Sequence, residues 1–184
     1  MDICITSSCI NYYYNNKTHR HDGPAIMYNT HTTKWYIHGE LHRDDGHAIL
    51  WDDNTKEWYQ NSVLHRENGP STEYINGNFE YRVNGRIHRE DGPAVRENTF
   101  TYTNKTPSSK YTEHSEQIIH KWYKYGKLHR EDGPAEISPF MNAWRQYDKL
   151  HREDGPAVII DGSEQYWFDG IQYTITDYRN LLKI

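Results

Sequence analysis

Aromatic and apolar residues recur along this chain at fixed distances from a polar segment that begins with His-Arg. The pair occurs in steps of 23, 23, 23, 41 and 22 residues, starting at His19, His42, His65, His88, His129 and His151. With each His as position 0, position −7 is always aromatic, and position −1 is Leu or Ile in five of the six copies. Repetition at such a period is typical of chains whose repeats pack against their neighbours.

The polar columns carry turn signals. Position +1 is Arg and position +4 is Gly in all six copies, and Pro and Ala usually follow at +5 and +6. We expect the +4 glycines, such as Gly92 and Gly133, to hold backbone angles that side chains resist. A second turn falls at −4 and −3, as at Asn84–Gly85, and suits a two-residue hairpin turn with positive φ. A third turn is visible at Asn76–Gly77 and Asp161–Gly162.

Short runs rich in Trp, Tyr, Val and Ile separate these turns and predict strands. The fold class predicted is all-β, an elongated antiparallel meander of about seven β-hairpin repeats in a single array. Residues 1–18 are predicted as an N-terminal cap with a hairpin at Ser7–Ser8, and residues 19–170 as the repeats. Residues 171–184 are predicted as a C-terminal helical cap, with Tyr178, Leu181 and Leu182 on one helix face.

The turn at −4 and −3 also predicts a register. Position −6 should face −1, which pairs Tyr59 with Leu64, and position −7 should face 0, which packs Trp58 against His65. Position −8 should face the Arg at +1. Because one hairpin cannot bury its own faces, we expect the Trp–His contacts to be the joints between repeats.

The regular step is interrupted once, between His88 and His129. The extra residues lie around 103–117, are polar, include Pro107, and lack strand periodicity. A tolerated surface insertion and a loop that contacts a partner are both consistent with this composition. In either case both ends of the insertion should lie close together, because the columns resume at Trp122.

Composition and charge narrow the function classes. The formal net charge is −5, whereas proteins that hold a phosphate backbone by bulk charge are usually basic, so nucleic-acid binding is disfavoured. The 16 Tyr and 6 Trp argue against disorder. Cys4 and Cys9 are too few for a disulfide scaffold, and their register around Ser7–Ser8 places Cys4 opposite Asn11. No signal peptide or transmembrane segment is predicted, so we expect a cytoplasmic protein.

Six His near many carboxylates resemble catalytic or metal-binding chemistry, but a residue present once per repeat performs the same task six times. Successive His should lie about 10 Å apart, at two strand spacings, which is too far to share one ion. We therefore predict no catalytic residue, no metal site and no cofactor, and a protein that is not an enzyme.

These columns resemble MORN-type repeats, a β-hairpin family in which an aromatic-x-x-Gly segment precedes a His-Gly-x-Gly stretch. Trp35–His42 carries the first part of the resemblance, which extends over roughly residues 12–170. After the His this chain has Arg-acid-acid-Gly-Pro-Ala instead, which looks like the "HRxDGPA" variant of giant-virus and phage proteins. The resemblance implies a scaffold for protein or membrane-lipid contacts and carries no catalytic residue over.

The remaining candidate for function is an aromatic surface, because contiguous exposed apolar area usually marks an interaction site. The predicted binding residues are Tyr13, Tyr36, Tyr59, Tyr123 and Trp167, with Lys110 and Tyr111 in the insertion. We predict a scaffold that binds a partner protein. One form of this prediction is a viral protein that inhibits a host defence protein in the host cytoplasm. The alternatives are a homodimer that covers the tyrosines and an anion-binding module for nucleic acid or membrane lipid.

Overall fold

The predicted antiparallel meander of hairpins with one short C-terminal helix is confirmed. The computed structural model describes residues 1–103 and 113–183, and the side chains of residues 1–99 and 116–183. The chain divides into two compact units, Met1–Arg86 and Ile87–Ile184.

The first unit contains strands of two to six residues. Its main sheet has the order β1-β2-β4-β5-β8-β9-β12-β13, with β3 also paired to β2. The members are β1 Asp2–Ile5, β2 Cys9–Tyr14, β3 Lys17–Thr18, β4 Ile26–Tyr28, β5 Thr33–Lys34, β8 Ile49–Leu50, β9 Lys56–Glu57, β12 Thr72–Glu73 and β13 Phe79–Glu80. Separate two-stranded hairpins are β6 Tyr36–Ile37 with β7 Glu40–Leu41, β10 Tyr59–Gln60 with β11 Val63–Leu64, and β14 Arg82–Val83 with β15 Arg86–Ile87.

The second unit follows the same plan. Its main sheet has the order β16-β17-β20-β21-β24-β25-β26. The members are β16 Val95–Thr103, β17 Glu113–Lys121, β20 Glu136–Ile137, β21 Met141–Ala143, β24 Val158–Ile160, β25 Ser163–Phe168 and β26 Ile171–Tyr173. The hairpins are β18 Tyr123–Lys124 with β19 Lys127–Leu128, and β22 Arg145–Gln146 with β23 Lys149–Leu150, and the helix α1 spans Ile175–Leu182.

The hairpin register matches the prediction up to the His. Tyr59 pairs with Leu64, and the backbone N–H of His65 donates to the Trp58 carbonyl at 3.0 Å. Both residues of each two-residue turn have positive φ, as at Asn84 (50°) and Gly85 (76°). The third predicted turn is also present, since Gly77 and Gly162 have φ of 79° and 80°.

Beyond the His, the prediction that position −8 faces the Arg is wrong. The N–H of Arg66 donates to the carbonyl of Arg82, which is position −6 of the following repeat, at 3.1 Å. Glu57, the predicted partner at −8, lies in the main sheet between β8 and β12. The chain therefore leaves its own hairpin at the His and joins the next one, so each repeat is hydrogen-bonded to its successor.

The alanine column forms the core. The residue at +6 is 0 % exposed in all six repeats: Ala25, Ala48, Ser71, Ala94, Ala135 and Ala157. In five of these repeats the backbone carbonyl of this residue accepts from the N–H of the aromatic residue at −7, as Ala135 does from Trp122 at 2.8 Å. Ser71 satisfies its buried hydroxyl by donating to the Glu80 carbonyl at 3.1 Å.

The prediction that residues 103–117 lack strand structure is wrong. Thr103 ends β16 and pairs with Glu113, the first residue of β17, and β17 runs through to Lys121. The strand was missed because the sequence of β17 is polar at successive positions, as in Glu113–Gln117. The chain does return to the same edge after Thr103, but Thr103 lies beside Glu113, whereas Gln117, the predicted end of the insertion, pairs with Thr99.

The hairpin predicted near the N-terminus and the helix predicted near the C-terminus are both present. At the N-terminus β1 and β2 form a hairpin in which Cys4 pairs with Asn11, and both cysteines are free. At the C-terminus α1 begins after the N-cap Thr174, whose hydroxyl accepts from the Asp177 N–H. Tyr178 is buried and its hydroxyl contacts the carbonyl oxygens of Arg152 and Gly155. Leu181, predicted on the same face, is 44 % exposed.

Candidate binding clefts at the repeat corners

In five of the repeats the corner is built on an arginine that stacks on an aromatic ring. The guanidinium carbon of Arg66 lies 3.9 Å from the centroid of the Trp58 ring, and that of Arg130 lies 4.2 Å from the Trp122 ring. The same contact, of 4.0–4.3 Å, joins Arg20 to Tyr12, Arg43 to Trp35 and Arg152 to Trp144. The predicted packing of Trp58 against His65 is therefore wrong at the level of side chains, although the backbone pair is right. The Arg, which is planar and cationic, takes the aromatic face.

Hydrogen bonds fix the guanidinium in this position. In five corners its Nε donates to the aspartate at +3, at 2.6–2.9 Å, as from Arg130 to Asp132. The Nη1 of the arginine donates to the backbone carbonyl of the residue at +5, as Arg152 does to Pro156 at 3.2 Å. The hydrogen bond and charge of Arg130 lower the pKa of the Asp132 carboxyl. The Arg and Asp of these five corners are thus largely occupied with each other.

In five of the six repeats the glycine at +4 is needed for space rather than for its backbone angle; Gly69 of the third repeat also has a positive φ of 152°. A Cβ on Gly133 would lie 3.0 Å from the Cζ of Arg130, and the corresponding distances in the other corners are 2.8–3.2 Å. Gly92 and Gly133 have no positive φ, so the prediction that they hold angles that side chains resist is wrong. The guanidinium is held between the aromatic ring and the glycine, and any side chain there would displace it.

The third corner shows how the arrangement adapts. Asn68 replaces the aspartate at +3, and Arg66 instead donates through Nη1 to Glu73 at 2.8 Å and to the Pro70 carbonyl at 3.0 Å. The stacking distance on Trp58 is unchanged by this exchange of partners. The ring contact is therefore the constant feature of the corner.

Two successive open clefts lie between corners in the second unit. The first, of about 820 Å³, is walled by segments 88–92 and 129–132, with Trp122, Tyr123 and Lys124 between them. The second, of about 630 Å³, is walled by segments 130–134 and 151–154, with Trp144 and Gln146 between them. Both clefts share the wall at Arg130–Asp132, so they follow each other at the spacing of one repeat.

Carboxylates dominate the rims of the clefts. The first cleft carries four acidic and three cationic side chains, a net charge of −1, and the second carries four acidic and two cationic side chains, a net charge of −2. The side chains of Glu131 and Glu153, at +2, are 76 % and 73 % exposed, whereas that of Arg130 is 23 % exposed. The clefts therefore present carboxylates outward and keep their arginines behind them, while Lys124 of the first cleft lies 3.7 Å from the Glu131 carboxylate.

Of the predicted aromatic binding residues, only Tyr123 is among the residues that line these clefts. Tyr123 lines the first cleft. Tyr13, Tyr36 and Tyr59 belong to the first unit and are half-buried, as is Trp167 in the second. Burial raises the pKa of Tyr36 and raises that of Tyr59 to about 12, with a further contribution from Glu57.

Trp122, Trp144 and the exposed +2 carboxylates were not among the residues predicted to bind. The acidic column at +2 and +3 was visible in the sequence. Only the structure shows that the Asp at +3 is bonded to its own arginine while the Glu at +2 stands at a rim. Lys110 and Tyr111, the predicted contacts of the insertion, lie outside the described residues.

Two further results concern the described part of the chain, residues 1–103 and 113–183. No group of three or more His, Cys, Asp or Glu side chains there is arranged so as to hold a metal ion. No helix there has the length and apolar character needed to cross a membrane.

Comparisons with family models, with curated proteins and with solved structures gave no match for this chain. The resemblance to MORN-type repeats and to their "HRxDGPA" variant stays a prediction based on the sequence columns.

Proposed function

We propose that this protein is a non-enzymatic repeat scaffold that binds a partner protein, and that the two corner clefts receive a basic, extended segment of that partner. The observation that supports the proposal most is the succession of two clefts, each with an aromatic residue between walls of exposed carboxylates. Aromatic residues in concave surfaces are common anchors of protein interfaces.

The spacing of the clefts suits an extended segment. Successive repeats are separated by about two strand spacings, or about 10 Å. A chain in the extended polyproline II conformation has three residues per turn and rises about 3.1 Å per residue, so side chains three residues apart lie on one face about 9 Å apart. Lysine or arginine side chains at every third position would therefore reach successive clefts.

Charge favours a basic segment over a phosphate-bearing ligand. The arginines of the corners are held by their own aspartates, as Arg130 is by Asp132 at 2.8 Å. A phosphate would have to displace Asp132 and would meet the exposed Glu131 carboxylate. The anion-binding alternative is therefore less well supported by these clefts than a basic peptide is.

The free energy of binding must come from both the carboxylates and the aromatic rings of the clefts. An exposed ion pair contributes about 0.2–1 kcal/mol, so carboxylates alone give selectivity more than affinity. Burial of the stems of Lys or Arg side chains against Trp122 and Trp144 supplies the apolar contribution. We expect micromolar rather than nanomolar binding for a short peptide.

The test uses a fluorescein-labelled peptide with Arg at every third position and neutral polar residues between. Fluorescence anisotropy should show saturable binding to the protein, and Glu131→Lys should raise the Kd about tenfold, because the shared wall of both clefts is reversed in charge. The matched control is Glu67→Lys in the first unit, where the carboxylate at +2 is 78 % exposed but lies outside the two clefts. This control should leave the Kd within twofold of the parent value.

Three outcomes would contradict the proposal. One is equal weakening by Glu131→Lys and Glu67→Lys, which would indicate bulk charge only. Another is tighter binding of single-stranded RNA or of anionic vesicles than of the peptide, with a steep loss in salt, which would favour the anion-binding alternative. The third is loss of binding in the Tyr36→Ala, Tyr59→Ala double variant alone, which would move the site to the predicted tyrosines.

The nature of the partner is a separate proposal. That the chain is viral, acts in the cytoplasm and inhibits a host defence protein stays a prediction from the repeat pattern. A homodimer also stays a prediction, and sedimentation of the purified protein with and without the peptide would test it.

A further inference from the structure

The C-terminal helix follows the last hairpin in the place that a corner takes in the other repeats. The hairpin of β25 and β26 is joined to the sixth repeat in the usual way, because the N–H of Arg152 donates to the Trp167 carbonyl as that of Arg130 donates to Arg145. No His-Arg pair follows this hairpin in the sequence. The chain continues instead into α1, Ile175–Leu182, which packs against β25 and β26.

A tyrosine of this helix occupies the third position in the row of clefts. The first two clefts have Trp122 and Trp144, at position −7 of their repeats, between their walls. The equivalent residue of the last hairpin is Tyr166, and the ring of Tyr178 lies 5.2 Å from it between centroids. Tyr178 is 1 % exposed, so the chain itself fills this position.

The hydroxyl of Tyr178 is held by the backbone of the sixth corner. It contacts the carbonyl oxygen of Arg152, at +1, and that of Gly155, at +4, the latter at 3.1 Å. Carbonyl oxygens only accept, so the phenolic O–H is the donor in these contacts. The corner backbone therefore presents a pair of acceptors that recognises a phenol.

The same pair of acceptors is present in the second cleft. The equivalent carbonyls of the fifth repeat belong to Arg130 and Gly133, and both residues line that cleft. Within residues 1–103 and 113–183, no donor is hydrogen-bonded to either oxygen. The second cleft thus has the acceptors of the third position without a side chain of the protein to satisfy them.

We propose that the second cleft binds a tyrosine side chain of the partner, whose hydroxyl donates to the carbonyls of Arg130 and Gly133 while its ring packs beside Trp144. This inference rests on the proposed function and names the anchor of the basic segment. The helix supplies the pattern, since Arg179 directly follows Tyr178. An arginine next to the partner's tyrosine meets the exposed carboxylates at the rims of the cleft.

The ring has room to enter although the face of Trp144 is in use. Arg152 covers that face at 4.0 Å. In the third position the planes of Tyr166 and Tyr178 are tilted by 54°, so the packing there is not a flat stack. A tyrosine in the second cleft meets the edge of Trp144, which is a favourable arrangement for two aromatic rings. The cleft volume of about 630 Å³ is in the range of sites that enclose a small ligand.

The experiment compares two fluorescein-labelled peptides with Arg at every third position. One has a Tyr directly before the central Arg, and the other has a Phe in its place. Fluorescence anisotropy should show about fivefold tighter binding of the Tyr peptide to the parent protein, because only its hydroxyl can donate to the two carbonyls.

A pair of matched variants locates the tyrosine. Gln146→Trp places an indole in the second cleft and should reduce the preference for the Tyr peptide to less than twofold. The control is Gln60→Trp, at the same position −5 of the third repeat. Gln60 is exposed like Gln146 but lies outside both clefts. The fivefold preference should remain in this control.

Three results would overturn the proposal, and they differ in what they leave standing. Equal affinities of the parent protein for the two peptides, both still weakened by Glu131→Lys, would exclude the tyrosine anchor and leave the basic segment supported. A fivefold preference that persists in Gln146→Trp would place the tyrosine outside the second cleft. Absence of binding by both peptides would contradict the proposed function itself, and this inference with it.

Discussion

The corner of a repeat and the hairpin turn at its other end obey different constraints. In the corner, Arg, Gly and a small residue recur at +1, +4 and +6 without exception, because a guanidinium is enclosed between a ring and a glycine and the residue at +6 is fully buried. In the turn, the first residue is His38, Asn61, Asn84, Tyr125, Tyr147 or Asp169, all with φ between 49° and 52°. Side-chain contacts fix the identities in the corner, whereas only the backbone conformation is fixed in the turn.

The largest expected effect comes from the ring of a corner. Trp58→Ala removes the surface on which Arg66 stacks at 3.9 Å, and should reduce the free energy of unfolding by about 3 kcal/mol. The control is Trp51→Ala, a half-buried tryptophan outside the corner that contacts Lys34, for which we expect a clearly smaller loss. Urea denaturation measures the free energy of unfolding of both variants. Equal losses would show that the corner stabilises the protein no more than the Trp51 contact does.

Glycines from the two regions give a sharper comparison. Gly133→Ala forces Arg130 away and should cost about 1–3 kcal/mol, while Gly162→Ala meets no atom within 4 Å but places a Cβ at a φ of +80°, for about 1–2 kcal/mol. Asparagine separates the two causes because it tolerates positive φ. Gly162→Asn should recover most of the stability in a thermal melt, and Gly133→Asn should recover none. Recovery at both positions would contradict the steric explanation of the corner.

The smallest expected effect concerns the segment between β16 and β17. Thr103 and Glu113 pair directly, so a two-residue Asn-Gly turn can replace residues 104–112 without a change of register. Because loop closure depends weakly on length, the melting temperature should stay within a few degrees of that of the parent protein. Binding of the basic peptide should also be unchanged. Loss of binding in this variant would instead support Lys110 and Tyr111 as contacts.

The sequence determined the architecture because the repeat is local. Turn residues at −4 and −3 set the hairpin register, and the periodic columns showed that each repeat must use its neighbour. The Cys4–Asn11 pairing, the return of the chain to the same sheet edge after Thr103 and the C-terminal helix followed from the same local rules. These features depend on residues a few positions apart, which a single sequence displays directly.

The tertiary structure decided which side chains meet. The sequence columns predicted that Trp58 packs against His65, because the pleat of an isolated hairpin places position −7 opposite position 0. The chain leaves its hairpin at His65 and joins the next repeat. Arg66 therefore stacks on the Trp58 ring, and His65 accepts a hydrogen bond from the turn of the following repeat. The clefts between corners depend on this exchange. A pairing rule derived within one hairpin cannot predict it, because the partners are supplied by the repeat that follows.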